Sequence, residues 1–123
     1  MKIERGKFQD AESLTTFMKD GFGWKNKGDM SKDFFSNKKN EIMGTSTLHI
    51  IEKVDRRIGL IEDVVVSKKF RGKLVASSII EKLISISKKE GCYKTILNTD
   101  SKTESFYKKL GFAQKNLQME IRF

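Results

Sequence analysis

Residues 60–89 read LIEDVVVSKKFRGKLVASSIIEKLISISKK. Ile61 through Val66 is a β-branched apolar run broken by two adjacent acids, Glu62 and Asp63, and predicts a strand. A basic turn with Arg71 and Gly72 follows. Then Val75, Ile79, Leu83 and Ile86 recur at spacings of three and four, with Ala76, Ile80 and Ile84 beside them. That is one face of an amphipathic helix. The first N–H groups of a helix have no internal partner, so a strand, a glycine-bearing basic turn and a helix start together form a candidate phosphate cradle.

Outward from this unit, Lys2–Glu4 is a short candidate strand, and Asp10 is a candidate N-cap for a helix over 11–19 with Leu14, Phe17 and Met18 apolar. Residues 20–32 hold three glycines and predict a loop, with Trp24 expected to pack over the core edge. Phe34–Ser36 fits either a short strand or one helical turn. Glu41–Glu52 predicts a strand carrying Ile42, Leu48, Ile50 and Ile51, and Lys53–Arg57 a charged connection.

Beyond the central helix, Gly91 stands where a C-terminal glycine belongs, after Lys88 and Lys89. Tyr93–Asn98 predicts a strand. Ser101 and Glu104 have the spacing of a capping box ahead of a short helix through Phe106, Tyr107 and Leu110, closed by Gly111. Leu117, Met119, Ile121 and Phe123 alternate with Gln118, Glu120 and Arg122, which predicts a half-buried last strand. The expected order is β-α-(β)-β-β-α-β-α-β, an α/β or α+β fold in a single domain.

A chain of 123 residues fits one modest core, and 37% hydrophobic with 33% charged residues is ordinary for a soluble globular protein. No apolar run approaches the roughly 20 residues that span a bilayer, and MKIERGKFQD lacks a signal-peptide core. A single cysteine, Cys92, excludes an internal disulfide and suits a reducing compartment. The expectation is a cytoplasmic protein without a membrane partner. The net charge of +9 favours an anionic ligand. Basic residues come in scattered pairs (Lys38-Lys39, Arg56-Arg57, Lys68-Lys69, Lys88-Lys89, Lys108-Lys109) rather than one stripe, which speaks against nucleic acid. One histidine and one cysteine do not make a metal site.

Four segments carry a family resemblance: Glu62-Asp63-Val64-Val65-Val66, Cys92-Tyr93-Lys94, Phe106-Tyr107-Lys108-Lys109-Leu110-Gly111-Phe112, and Met119-Glu120-Ile121-Arg122. With Gly44–Leu48, they resemble the GNAT superfamily of acetyl-CoA-dependent N-acetyltransferases, and within it the members that acetylate glucosamine 6-phosphate. The resemblance runs from about Gly44 to Phe123. It implies a mixed, mostly antiparallel central sheet flanked by helices.

It also implies roles. Acetyl-CoA, as co-substrate, would lay its pyrophosphate on Arg71, Gly72, Lys73, Leu74, Val75, Ala76 and Ser77, with Leu74 standing where the family has glycine. Backbone N–H groups of Val64, Val65 and Val66 would hold the thioester arm, and Tyr107 would stand beside the sulfur as acid. Glu62 and Asp63 would hold the amino sugar and organise the site. Tyr93, Lys94 and Arg122 would bind its phosphate, in part across a homodimer interface. Asn98 replaces the family's acid; it can orient an amine but cannot take its proton. The base is then water, Glu62, Asp63 or Asp100. His49 and Cys92 are expected to serve packing or surface rather than catalysis. Acetylation of another amine and a non-catalytic acetyl-CoA-binding module stay open as alternatives.

Overall fold

The computed structural model describes residues 2–5, 32–36, 42–72 and 74–123. The expected helix at 11–19, Trp24 and Lys73 lie outside the described residues. Five strands form one sheet in sequential order: β1 (Lys2–Arg5), β2 (Lys32–Ser36), β3 (Ile42–Glu52), β4 (Arg57–Val66) and β5 (Cys92–Leu97). Residues 34–36, ambiguous in sequence, are strand. β1 to β4 pair antiparallel, and β4 and β5 pair parallel. The parallel step needs a crossover, which is the helix α1 (Val75–Lys89). A second, short helix, α2, covers Glu104–Lys109. The sheet is mixed and mostly antiparallel, as expected.

The periodicity of α1 does what its spacing requires. Val75, Ile79, Ile80 and Leu83 are at most 1% exposed and pack with Met43, Ile61 and Phe70. Burying each such side chain is worth about 1.5–3 kcal/mol relative to exposure, so this face anchors α1 to the sheet. Ile84 and Ile86 are only half-buried, and the last buried position is Ser87, whose hydroxyl oxygen accepts from Thr95 Oγ1 at 2.8 Å. Gly44 on β3 gives α1 its close approach. A Cβ there would meet the Val65 carbonyl oxygen at 2.9 Å and methyl groups of Val75 and Ile79 at 3.1 Å. Between β4 and α1 a single 3-10 turn, Lys68–Phe70, drops Phe70 into the core.

Two expectations are corrected. Residues 117–123 form no strand: Leu117, Met119, Ile121 and Phe123 are 83% exposed or more, and no described strand pairs with them. The alternation is present in the sequence, but the segment is not paired on β5, the edge strand at that side of the sheet. Nor does Ser101 cap α2. Asp100 Oδ1 accepts from the backbone N–H groups of Lys102 and Thr103, each at 3.0 Å, and from Thr103 Oγ1. An ionised carboxylate is a stronger acceptor than a hydroxyl, so the turn forms around Asp100 and the helix starts one turn later, at Glu104.

Candidate active site

β4 and β5 run paired from Arg57–Cys92 to Ile61–Leu97, and there the pairing ends. β4 continues to Val66 while β5 stops, so the two strands part and leave a cleft of about 380 Å³. One wall is Ile61, Glu62, Asp63 and Val64; the other is Leu97, Asn98, Thr99, Asp100, Thr103 and Tyr107. Along 64–66, the edge of β4 that faces away from β3 pairs with no described strand, so it can offer backbone groups to a ligand.

The local geometry of β4 comes from a bulge. Thr45 pairs with Val65 and Thr47 with Glu62, so Ser46 alone stands opposite Asp63 and Val64. Asp63 takes the extra residue's turn with φ 55, in the left-handed region that Asp tolerates better than most residues. Simple alternation puts neighbouring residues on opposite faces. The bulge breaks it, and both Glu62 and Asp63 line the cleft.

Tyr107 enters from α2. It is half-buried, with edge-on ring contacts to Phe106 (5.0 Å) and Phe112 (5.9 Å). Burial, and secondarily the Asp100 charge, raise its pKa above the usual phenol value. Its hydroxyl therefore keeps its proton at neutral pH and can donate it. Asp100 is shifted the other way, held below its usual range by its hydrogen bonds to Thr103 and Lys102. A carboxylate so engaged is a poor base, which argues against one of the expected proton acceptors.

The turn before α1 has the shape that glycine would give it. Leu74 sits at φ 61, ψ 15, with its side chain 75% exposed, and Gly72 is at φ 75. The first backbone bond of α1 runs from Ser78 N–H to the Leu74 carbonyl, at 3.0 Å, leaving the N–H groups of Val75, Ala76 and Ser77 free of helical partners. Ser77 turns its hydroxyl back to the Leu74 carbonyl at 2.9 Å. Arg71 is exposed beside them. This donor set fits a pyrophosphate.

The expected phosphate ligands are not gathered with the cleft. Tyr93 and Lys94 stand at the start of β5, three or more residues before Leu97, a distance of about 10 Å along the strand. Arg56 and Lys94 flank the Tyr93 ring at 5.1 and 5.3 Å, and the Lys94 hydrogen bond followed by the cationic neighbours lowers the phenol pKa. Arg122 is on the exposed 117–123 segment, paired with Glu120 at 2.7 Å. Its expected strand position is corrected with that of the segment. An opening of about 410 Å³ at the other end of β4 is lined by Glu52–Arg57, Glu90 and Gly91, where Arg57 already pairs with Glu52 at 2.6 Å. It carries no catalytic grouping.

Sequence reasoning missed Thr99 and Thr103 as cleft residues and missed the partner of His49. His49 Nε2 lies 3.1 Å from Glu62 Oε2. Only the strand register, with its bulge, brings these two together.

The fold is that of a known class. The Acetyltransferase (GNAT) family model matches residues 4–112, and this chain belongs to that family. It is 38% identical over 97 residues to the glucosamine 6-phosphate N-acetyltransferase of Trypanosoma brucei brucei, covering 76% of this chain and 66% of that protein. It is 39% identical over 87 residues to glucosamine 6-phosphate N-acetyltransferase 1 of Dictyostelium discoideum, covering 68% of this chain and 55% of the relative. The chain thus spans between about half and two-thirds of these relatives' length. The crystal structure of glucosamine-6-phosphate N-acetyltransferase from Arabidopsis thaliana superposes with a TM-score of 0.85 at 26% identity, covering 99% of this chain and 97% of that one.

Proposed function

We propose that this protein transfers the acetyl group of acetyl-CoA to the amine of glucosamine 6-phosphate, giving N-acetylglucosamine 6-phosphate for UDP-N-acetylglucosamine synthesis. The observation that carries this reading is the cleft between the parted strands, with Glu62 and Asp63 on one wall and Tyr107 on the other, in a chain 38% identical to an enzyme of that name.

The amine attacks the thioester carbon directly, without a covalent enzyme intermediate and without a metal. The ammonium first gives up a proton to water or to the carboxylate of Glu62 or Asp63; the N–C bond forms as the C–S bond breaks. Tyr107 gives its proton to the departing sulfur and recovers one from the acetylated nitrogen. Backbone N–H groups of Val64 to Val66 hold the thioester carbonyl, where negative charge develops. Arg71, Gly72 and the first turn of α1 hold the pyrophosphate, with Lys73 beside them in sequence. Asn98, neutral, orients the amine, and the carboxylates of Glu62 and Asp63 hold the sugar.

The working unit is a cytoplasmic homodimer. Two observations support it: the four apolar side chains at 117, 119, 121 and 123 are uncovered in one chain, and Tyr93 and Lys94 stand away from their own cleft. A second copy would cover the first group and bring cations, Arg122 among them, to the sugar phosphate. Mass spectrometry of a reaction with acetyl-CoA and glucosamine 6-phosphate tests the function: the N-acetylated sugar phosphate is expected, and its absence with every amine offered would refute it.

A further inference from the structure

The cleft holds three carboxylates, and they are not equivalent. Asp100 spends Oδ1 on the start of α2, and Asp63 is held in the bulge at φ 55. Glu62 is the one whose carboxylate is met by an imidazole. Because Thr47 pairs directly with Glu62, His49, two residues further along β3, stands on the same face as a diagonal neighbour. The contact of 3.1 Å joins side chains that are 44% and 47% exposed, at the wall of the cleft. Burial does not force this pair together. It forms where β4 has lost its pairing to β5 and where Asn98 supplies no charge from the opposite wall.

A glutamate at an open edge has many rotamers, and an acceptor that needs one of them must select it on binding. A donor fixed to a sheet removes that selection beforehand. His49 is such a donor: it sits inside an eleven-residue strand paired on β4, and Nε2 donates to a carboxylate in both the imidazolium and the Nε2–H tautomer. With Oε2 engaged, Oε1 is left to face the cleft.

We propose that His49 is a positioning residue for acceptor binding: it donates from Nε2 to Glu62 Oε2 and aims Oε1 at the acceptor's ammonium group. Its effect is exerted through Glu62 and not on the acetyl donor. The inference rests on the reading of the cleft as the site of an amine acceptor.

Steady-state thiol release by the full chain tests it, with glucosamine 6-phosphate and acetyl-CoA varied separately. H49F is expected to raise KM for the sugar phosphate on the order of tenfold, the weight of one charge-assisted hydrogen bond. Its kcat and KM for acetyl-CoA should stay within about twofold. H49Q should recover most of the loss, because the glutamine amide nitrogen reaches the place of Nε2. In an E62A background H49F should add nothing, as a double-mutant cycle requires of a residue acting through its partner. An unchanged KM in H49F, no rescue by H49Q, or an undiminished H49F effect in E62A overturns the proposal while the acetyl transfer stands. Absence of turnover on any amine in the unmutated protein overturns the acceptor reading, and this inference with it.

Discussion

Ser46 Oγ donates to the Glu62 carbonyl oxygen at 3.0 Å, tying β3 to β4 at the point where β4 carries one residue in excess. That bond sits beside the bulge that turns both Glu62 and Asp63 to the cleft. Ser46 is fully buried, so nothing else can satisfy the carbonyl from that side without repacking.

Ser46→Ala should therefore cost about 0.5–1.5 kcal/mol in stability, the net value of one hydrogen bond. It should also lower kcat/KM for the acceptor, because the bulge loses a fastening. Urea denaturation and initial rates on the same preparation check both. Loss of stability with unchanged kinetics would show that the bulge keeps its shape without this bond.

Leu74→Gly should stabilise the protein. A non-glycine residue in the left-handed region carries about 1–2 kcal/mol of strain, and a glycine gives back about 0.5–1 kcal/mol in chain entropy. The net gain is about 1 kcal/mol or less. The substitution should also tighten acetyl-CoA binding, since a leucine side chain no longer stands over the turn. Thermal unfolding and calorimetric titration measure the two effects. Leu74→Ala, which keeps the strain, should give no gain in stability.

Tyr107→Phe should reduce kcat by about 10²-fold, the lower end for general acid catalysis, and leave KM for acetyl-CoA nearly unchanged. Burial raises the Tyr107 pKa, so the protonated form is the one the fold favours. The stability linked to it is fully present below the unfolded phenol value near 10 and is lost as pH rises through the higher folded value. The alkaline limb of kcat should accordingly lie above pH 10, and it should vanish in the phenylalanine variant. A limb that persists there belongs to another group.

Asp100→Asn should weaken the start of α2, and with it the placement of Tyr107. The folded-state pKa of Asp100 is lowered by its hydrogen bonds to Thr103 and Lys102. Its contribution to stability is present above the unfolded value near 3.8 and is lost as pH falls through the lower folded value. The difference in Tm between the natural protein and the variant should be widest near neutral pH and should shrink on acidification below pH 4. A difference that grew on acidification would contradict this role.

Much of this was legible in the residues. The stripe of Val75, Ile79 and Leu83 specified α1 and its buried face, and Glu62, Asp63 and Val64 line the cleft. The bulge was not legible, because one surplus residue becomes visible only against the register of the opposite strand, and His49 was expected to serve packing or surface. The capping-box spacing pointed to Ser101, whereas the carboxylate of Asp100, the stronger acceptor, takes the N–H groups of Lys102 and Thr103. The alternation of 117–123 predicted a half-buried strand, and the segment is exposed throughout. The segment pairs with no described strand, so the expected strand does not form.

The proposed reaction is acetylation, in the cleft, of the amine of a phosphorylated amino sugar. Thiol release from acetyl-CoA, compared between glucosamine 6-phosphate and glucosamine, tests it most directly. Turnover is expected with the phosphorylated sugar, with a kcat/KM at least about 10²-fold lower without the phosphate, from the loss of its charge-assisted contacts. Equal rates on the two sugars, or release only with a peptide amine, would contradict it.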